Sequence, residues 1–137
     1  MRVVGVTIVL CAYAVLARAQ THPCDVVPPN NPNLTSPVKG GFCHNGLDAA
    51  SNPTTVTAFR LYIDGQLVFS GPLTPVGAPT ADGRFYFETP PVNVTKGSHA
   101  VTFTAVSADG ESAPSPSYPF VLAGAPPAPP TNPRAKK

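Results

Sequence analysis

A chain of 137 residues with nine basic and seven acidic side chains, nineteen prolines and no tryptophan has room for one domain and not for two well-built ones. The proline content excludes a mainly helical protein, because proline removes a backbone donor and clashes inside a helical turn. The charge balance gives no electrostatic footprint for nucleic acid or an anionic membrane, outside Arg134, Lys136 and Lys137 near the end of the chain.

The first residues, MRVVGVTIVLCAYAVLARAQ, place one basic residue, Arg2, ahead of an apolar run from Val3 to Leu16 and end in Ala17, Arg18 and Ala19. Small residues at the two positions a signal peptidase reads make residues 1–19 a secretory leader, and the apolar run is shorter than the roughly 18 to 20 residues needed to cross a bilayer. The mature chain is therefore expected to begin at residue 20, without a membrane span. Loss of Arg2 and Arg18 leaves seven basic residues against seven acidic ones, a net charge near zero. Cys11 leaves with the leader, so Cys24 and Cys43 are the pair delivered to an oxidising compartment, extracellular or periplasmic.

Those two cysteines admit two readings. Bridged, they would tie a first strand in residues 23–27 (PCDVV) to a second in residues 37–45 (PVKGGFCHN), and closing a loop of that length stabilises a domain by about 3 kcal/mol. Left reduced, they would join His22 and His44, which stand beside them, in a set of two thiolates and two imidazoles that zinc or copper accepts. Secretion favours the disulfide.

The clearest element follows. In residues 56–70 (VTAFRLYIDGQLVFS), Phe59, Leu61 and Ile63 alternate with Arg60 and Tyr62, the period of an extended strand. Asp64 and Gly65 form the pair that suits a two-residue hairpin turn. With that loop, Tyr62 should face Leu67 and Arg60 should face Phe69, putting all four on one surface. Residues 83–89 (GRFYFET) read as a third strand with Phe85 and Phe87 on one side, and residues 99–107 (HAVTFTAVS) as a fourth with Val101, Phe103 and Ala105 inward. Residues 118–124 (YPFVLAG) read as a last strand, whose proline marks it as an edge or a strand start.

Strands separated by turn signals, without helical periodicity outside the leader, predict an all-β antiparallel sandwich over residues 20–124. Its expected core is Phe59, Leu61, Ile63, Phe85, Phe87, Val101, Phe103 and Ala105, each large side chain worth about 1.5 to 3 kcal/mol on burial. Residues 125–137, rich in alternating alanine and proline, favour extended polyproline II and form a tail.

The stretches AFRLYIDGQLV and GSHAVTFTAVSADGESAPS, with Gly110, Ser112, Pro114 and Ser115 in the final loop, resemble the central hairpin and penultimate strand of fibronectin type III and bacterial immunoglobulin-like domains. The resemblance spans roughly residues 56–122 and implies an immunoglobulin-like sandwich; such domains often accompany extracellular enzymes and adhesins. The tryptophan usually buried near the second strand is missing, so Phe42 or the Cys43 region is expected to fill its volume. His99 stands near the place of the family's corner tyrosine.

The chemistry of the sequence is sparse. Its carboxylates outside the leader, Asp25, Asp48, Asp64, Asp82, Glu88, Asp109 and Glu111, fall mostly at turns, where aspartate serves local hydrogen bonding. No nucleophile elbow and no phosphate loop occurs. We therefore expect a protein that is not an enzyme and takes no cofactor. Asn33 and Asn93 head glycosylation sequons. The best binding surface in the sequence is the outer face of the hairpin, Arg60, Tyr62, Leu67 and Phe69, where aromatic rings beside a guanidinium suit a sugar or a protein partner. The expectation is a secreted binding or adhesion module for a carbohydrate or protein surface, with a ligand-free spacer as the alternative and a small metal-binding protein as a further one.

Overall fold

The computed structural model describes residues 21–124, 127–129, 131, 134 and 135. The expected leader and much of the expected tail lie outside the described residues. Among the described residues eight strands follow in chain order: β1 (Asn33–Leu34), β2 (Gly41–His44), β3 (Ala58–Ile63), β4 (Gln66–Gly71), β5 (Phe85–Glu88), β6 (Gly97–Ser107), β7 (Gly110–Glu111) and β8 (Tyr118–Leu122). They form a large sheet in the order β1-β8-β6-β3-β4, with β7 also on β6, and a small sheet of β2 and β5. All pairs are antiparallel except β1 with β8. This is an immunoglobulin-like, all-β sandwich.

The hairpin forms where the sequence places it. Asp64 and Gly65 both hold positive φ, 51° and 77°, as a type I′ turn requires, and aspartate and glycine tolerate that region where a branched residue would not. Next to the turn, however, β4 carries a bulge. Tyr62 lies opposite Leu67 and Leu61 opposite Phe69, so Val68 has no partner. One extra residue reverses the side-chain alternation. Phe69 consequently shares the inner face with Leu61 and packs against the core; it is not on the outer surface with Arg60 and Tyr62.

A second departure is at the front of the domain. Residues 23–27 are not a strand: Pro23–Asp25 is a single 3-10 turn, capped by His22, whose Nδ1 accepts from the Cys24 N–H. Proline at the first position of a helical turn sacrifices no hydrogen bond, which is why the turn begins there. Two short strands, β1 and β7, were not legible in the sequence.

The long β6 organises the large sheet. Residues Gly97 to Val101 pair with β8, and beyond them the loop after β7 takes over. Ser112 N–H donates to the Ala105 carbonyl at 2.8 Å and Ser115 N–H to the Phe103 carbonyl at 2.9 Å. The hydroxyls of the same two serines accept from Ala105 N–H and Phe103 N–H, both at 3.0 Å. The Gly-x-Ser-x-Pro-Ser loop thus completes the ladder with side-chain oxygens where prolines prevent a regular strand.

Between the sheets the core has two ends. At one, β2 and β5 lay Phe42 and Phe87 over the large sheet. The Phe42 ring lies 4.8 Å from Phe59, 5.5 Å from Phe87 and 4.6 Å from Phe103, centroid to centroid, so Phe42 fills the place expected of a tryptophan. At the other end Leu61, Ile63, Val101, Phe120 and Leu122 are buried, Leu61 to 1% exposure. Their cover is Leu34 of the short β1 and irregular chain at Val38, Val92 and Val94, held by the Val38–Val92 bridge.

Candidate functional site

The outer face of the hairpin is pre-paired. The Arg60 guanidinium, the Tyr62 hydroxyl (2.6 Å) and the Thr104 hydroxyl all donate to the Glu111 carboxylate. Thr104 first, then Tyr62 and Arg60, holds the Glu111 carboxyl below its usual range. The register places Arg60 beside Thr104, and β7 brings Glu111 over them from the neighbouring edge. Leu67 is 52% exposed and Phe69 is turned inward. Of the four residues the sequence proposes for binding, the fold therefore brings Arg60, Tyr62 and Leu67 to one surface, with the two polar ones engaged by Glu111.

The cysteines are joined. Cys24 and Cys43 form a disulfide, with Cα atoms 5.9 Å apart, so the two-thiolate metal set is not assembled. Both neighbouring histidines are engaged by backbone groups, His44 within its own loop and His22 also across to the segment between β4 and β5. His22 bonds through Nε2 to the Ala78 carbonyl at 2.9 Å, and His44 accepts the Gly46 N–H on Nδ1 at 2.9 Å. Among the described residues no three His, Cys, Asp or Glu side chains converge as ligands. Arg84 completes this region, donating to the Cys24 carbonyl at 2.6 Å, to Asp25 and to Asp82. The front turn is thereby clamped by the disulfide and a forked guanidinium.

Two further carboxylates are engaged: Asp48 caps its loop on Ala50 and Asn52, and Glu88 meets Tyr86 and Lys39. Asp64 bonds His99 Nδ1 at 2.6 Å and Ala100 N–H at 2.9 Å. His99 contacts the Thr95 carbonyl through Nε2 at 2.8 Å, so both ring nitrogens face acceptors. Its pKa is raised, chiefly by Asp64, and that of Asp64 is lowered, chiefly by His99. The sequon residues Asn33 and Asn93 are both exposed.

The site the sequence missed is a cleft of about 420 Å3 at the aliphatic end. Its floor is the core itself: Leu61, Ile63, Val101 and Phe120. Pro28, Pro29 and Pro32 form one wall, Val38 to Gly41 the other. The wall at Gly40 lies flat because a Cβ there would meet Phe103 Cε1 at 2.9 Å and Leu61 Cδ1 at 3.3 Å. Tyr118 ties the proline wall to β8, its hydroxyl donating to the Pro29 carbonyl at 2.6 Å. The volume lies within the range of about 300 to 1,000 Å3 usual for small-molecule sites. The available sequence signal was Tyr118 and Phe120 alternating onto the inner face; nothing in the sequence marks residues 28–32 as their cover.

No protein-family model matches this chain, and no curated protein matches it. Among solved structures it is similar to the crystal structure of CopC from Methylosinus trichosporium OB3b, at 19% identity over 69% of this chain and 85% of that chain, with a TM-score of 0.36.

Proposed function

We propose that this domain is a secreted, non-catalytic binding module of the fibronectin type III or bacterial immunoglobulin-like kind, and that its ligand enters the cleft at the aliphatic end with an apolar body. The observation that carries this reading is a cleft whose floor consists of core residues: a preformed apolar concavity is the commonest form of a ligand site. Secretion is supported by the leader pattern and by a disulfide, which persists in oxidising compartments. Absence of catalysis is the expectation from the motifs, and it is supported by the ties of Glu111 to Arg60, Tyr62 and Thr104 and of Asp64 to His99.

The geometry favours an apolar ligand over the sugar suggested by the hairpin. A sugar needs partners for its hydroxyls, and the cleft is lined mainly by carbon. The test is the emission of Nile red, a neutral apolar dye, on titration with the protein, beside retention on insoluble polysaccharides. Enhanced emission that falls in Val38→Phe, with thermal unfolding unchanged, is the expected result. No enhancement together with no retention would leave the spacer as the better account, and retention lost in Tyr62→Ala would return the site to the hairpin.

A further inference from the structure

The small sheet has an open edge, and the cleft runs along it. Among the described residues β2 pairs with β5 alone. Gly40 and Thr89 face each other as a hydrogen-bonded pair: the Gly40 carbonyl accepts from Thr89 N–H and the Gly40 N–H donates to Thr89 Oγ1, each at 2.9 Å. Val38 and Val92 exchange both backbone bonds, at 2.9 and 2.8 Å. Main-chain groups alternate in direction along extended chain, so those of Lys39 and Gly41 point away from these partners, toward the open edge. No backbone bond of either residue is made on that side among the described residues. Both residues are exposed, and both line the cleft.

The facing wall explains why the edge is open. It is built from Pro28, Pro29 and Pro32, and proline has no N–H with which to pair. The strand that follows, β1, joins β8 of the large sheet instead. The cleft thus combines an apolar floor with free backbone donors and acceptors that repeat at every second residue, about 6.8 Å apart. A pure hydrocarbon would cover the floor and displace water from these groups without replacing its hydrogen bonds. An extended polypeptide meets both demands, because its backbone groups repeat at the same interval while its side chains alternate. Its residues opposite Lys39 and Gly41 would project outward, and the one opposite Gly40 would project into the cleft.

No segment of this sequence outside the sandwich suits that role. Residues 125–137 carry prolines at 126, 127, 129, 130 and 133, which prevent continuous pairing, and residues 1–19 are the expected leader. Resting on the reading that the cleft is the ligand site, we propose that its ligand is an extended segment of another polypeptide, paired through its backbone with Lys39 and Gly41 and burying apolar side chains over Leu61, Val101 and Phe120. The small sheet then gains a third strand.

The test is calorimetric titration of the protein, produced from its full sequence and purified with the disulfide formed, with the capped peptide KTVTVTVTK, whose valines share one face of an extended chain. Two further peptides carry N-methyl groups on two of the threonine amides or on two of the valine amides. With the valines in the cleft, the threonine amides face β2 and the valine amides face away. One peptide should bind per protein and displace Nile red. Methylation of the threonines should weaken it about thirtyfold, roughly fivefold for each backbone bond lost, while methylation of the valines should change it by less than about threefold. Lys39→Pro removes the matching donor from the protein and should weaken the unmodified peptide about fivefold with thermal unfolding unchanged; the two methylated peptides decide the matter independently of that variant. Equal weakening by both methylations would overturn the backbone pairing and leave the cleft as an apolar site. Nile red emission without binding of any peptide would overturn the polypeptide ligand alone, and absence of both would overturn the cleft reading as well. A dimer in sedimentation that the peptide dissociates would overturn the separate partner and make a second copy of this chain the donor.

Discussion

The two ends of the sandwich bury their inner faces by different means. At the aromatic end a second sheet does the covering, and four phenylalanines, Phe42, Phe59, Phe87 and Phe103, meet ring against ring. At the aliphatic end the large sheet extends past β2 and β5, and loop residues bridged between Val38 and Val92 cover it instead. Hydrogen-bonded strands set their side chains at fixed spacing and close the layer. Proline-rich chain cannot pair continuously and leaves a cleft. The lesson is that the same inner face of one sheet becomes sealed core or accessible pocket according to what lies over it.

The sharpest way to break that comparison is to truncate each cover. Phe42→Ala should cost about 3 kcal/mol, the low end for a core aromatic because the ring is only half-buried. Val38→Ala should cost about 1 kcal/mol, and urea midpoints at equal m-values would check the ratio. Equal losses would mean that the loops stabilise the sandwich as strongly as the small sheet does. Replacing both Cys24 and Cys43 with serine should cost about 3 kcal/mol, since the bridge closes a loop with a sequence separation of 19. Ligand binding at the cleft should survive, because the bridge lies on the opposite face of β2 from Phe42.

A third change acts on the cleft wall itself. Gly40→Ala drives a methyl into Phe103 and Leu61, and overpacking of this kind typically costs about 1 to 3 kcal/mol. Thermal unfolding and Nile red emission should fall together, since both respond to a displaced Phe103.

The smallest effect distinguishes the two ends by their histidines. His44 packs edge-on against Phe59, 5.6 Å between centroids, and burial lowers its pKa. His99 lies against Phe120, 5.5 Å away, and its partners raise its pKa. The His99 contribution to stability is fully present below the ordinary imidazole value of about 6.5 and is lost as pH rises through its raised folded value. His44 works in the opposite sense: its contribution is present above about 6.5 and is lost as pH falls through its lowered folded value. Asp64, lowered, supplies stability above the ordinary carboxyl value of about 3.9 and loses it as pH falls further. NMR titration should find His99 titrating above His44, and His99→Gln should flatten the decline of melting temperature on the alkaline side.

Much of this was legible because it depends on near neighbours in the chain. Asp64 and Gly65 announced the turn by their tolerance of positive φ, and the alternation of Phe59, Leu61 and Ile63 and of Val101, Phe103 and Ala105 announced the inner face. The pairing of Cys24 with Cys43 was expected because they are the two cysteines left once the apolar N-terminal segment is read as a leader. Phe69 was misplaced because a bulge at Val68 changes parity without altering composition. The tie of Arg60 and Tyr62 to Glu111 was invisible for another reason: it joins residues separated by about fifty positions, through strands brought together only by the fold.

Sequence alone determined the class of object: a β-sandwich, a hairpin at its centre and a disulfide near its front. Periodicity and turn chemistry act over a few residues, and a single chain displays them in full. The tertiary structure alone decided where the surface opens. Whether the prolines at 28, 29 and 32 seal the aliphatic end or merely wall it depends on packing between segments far apart in the chain. No local pattern encodes the empty space between them.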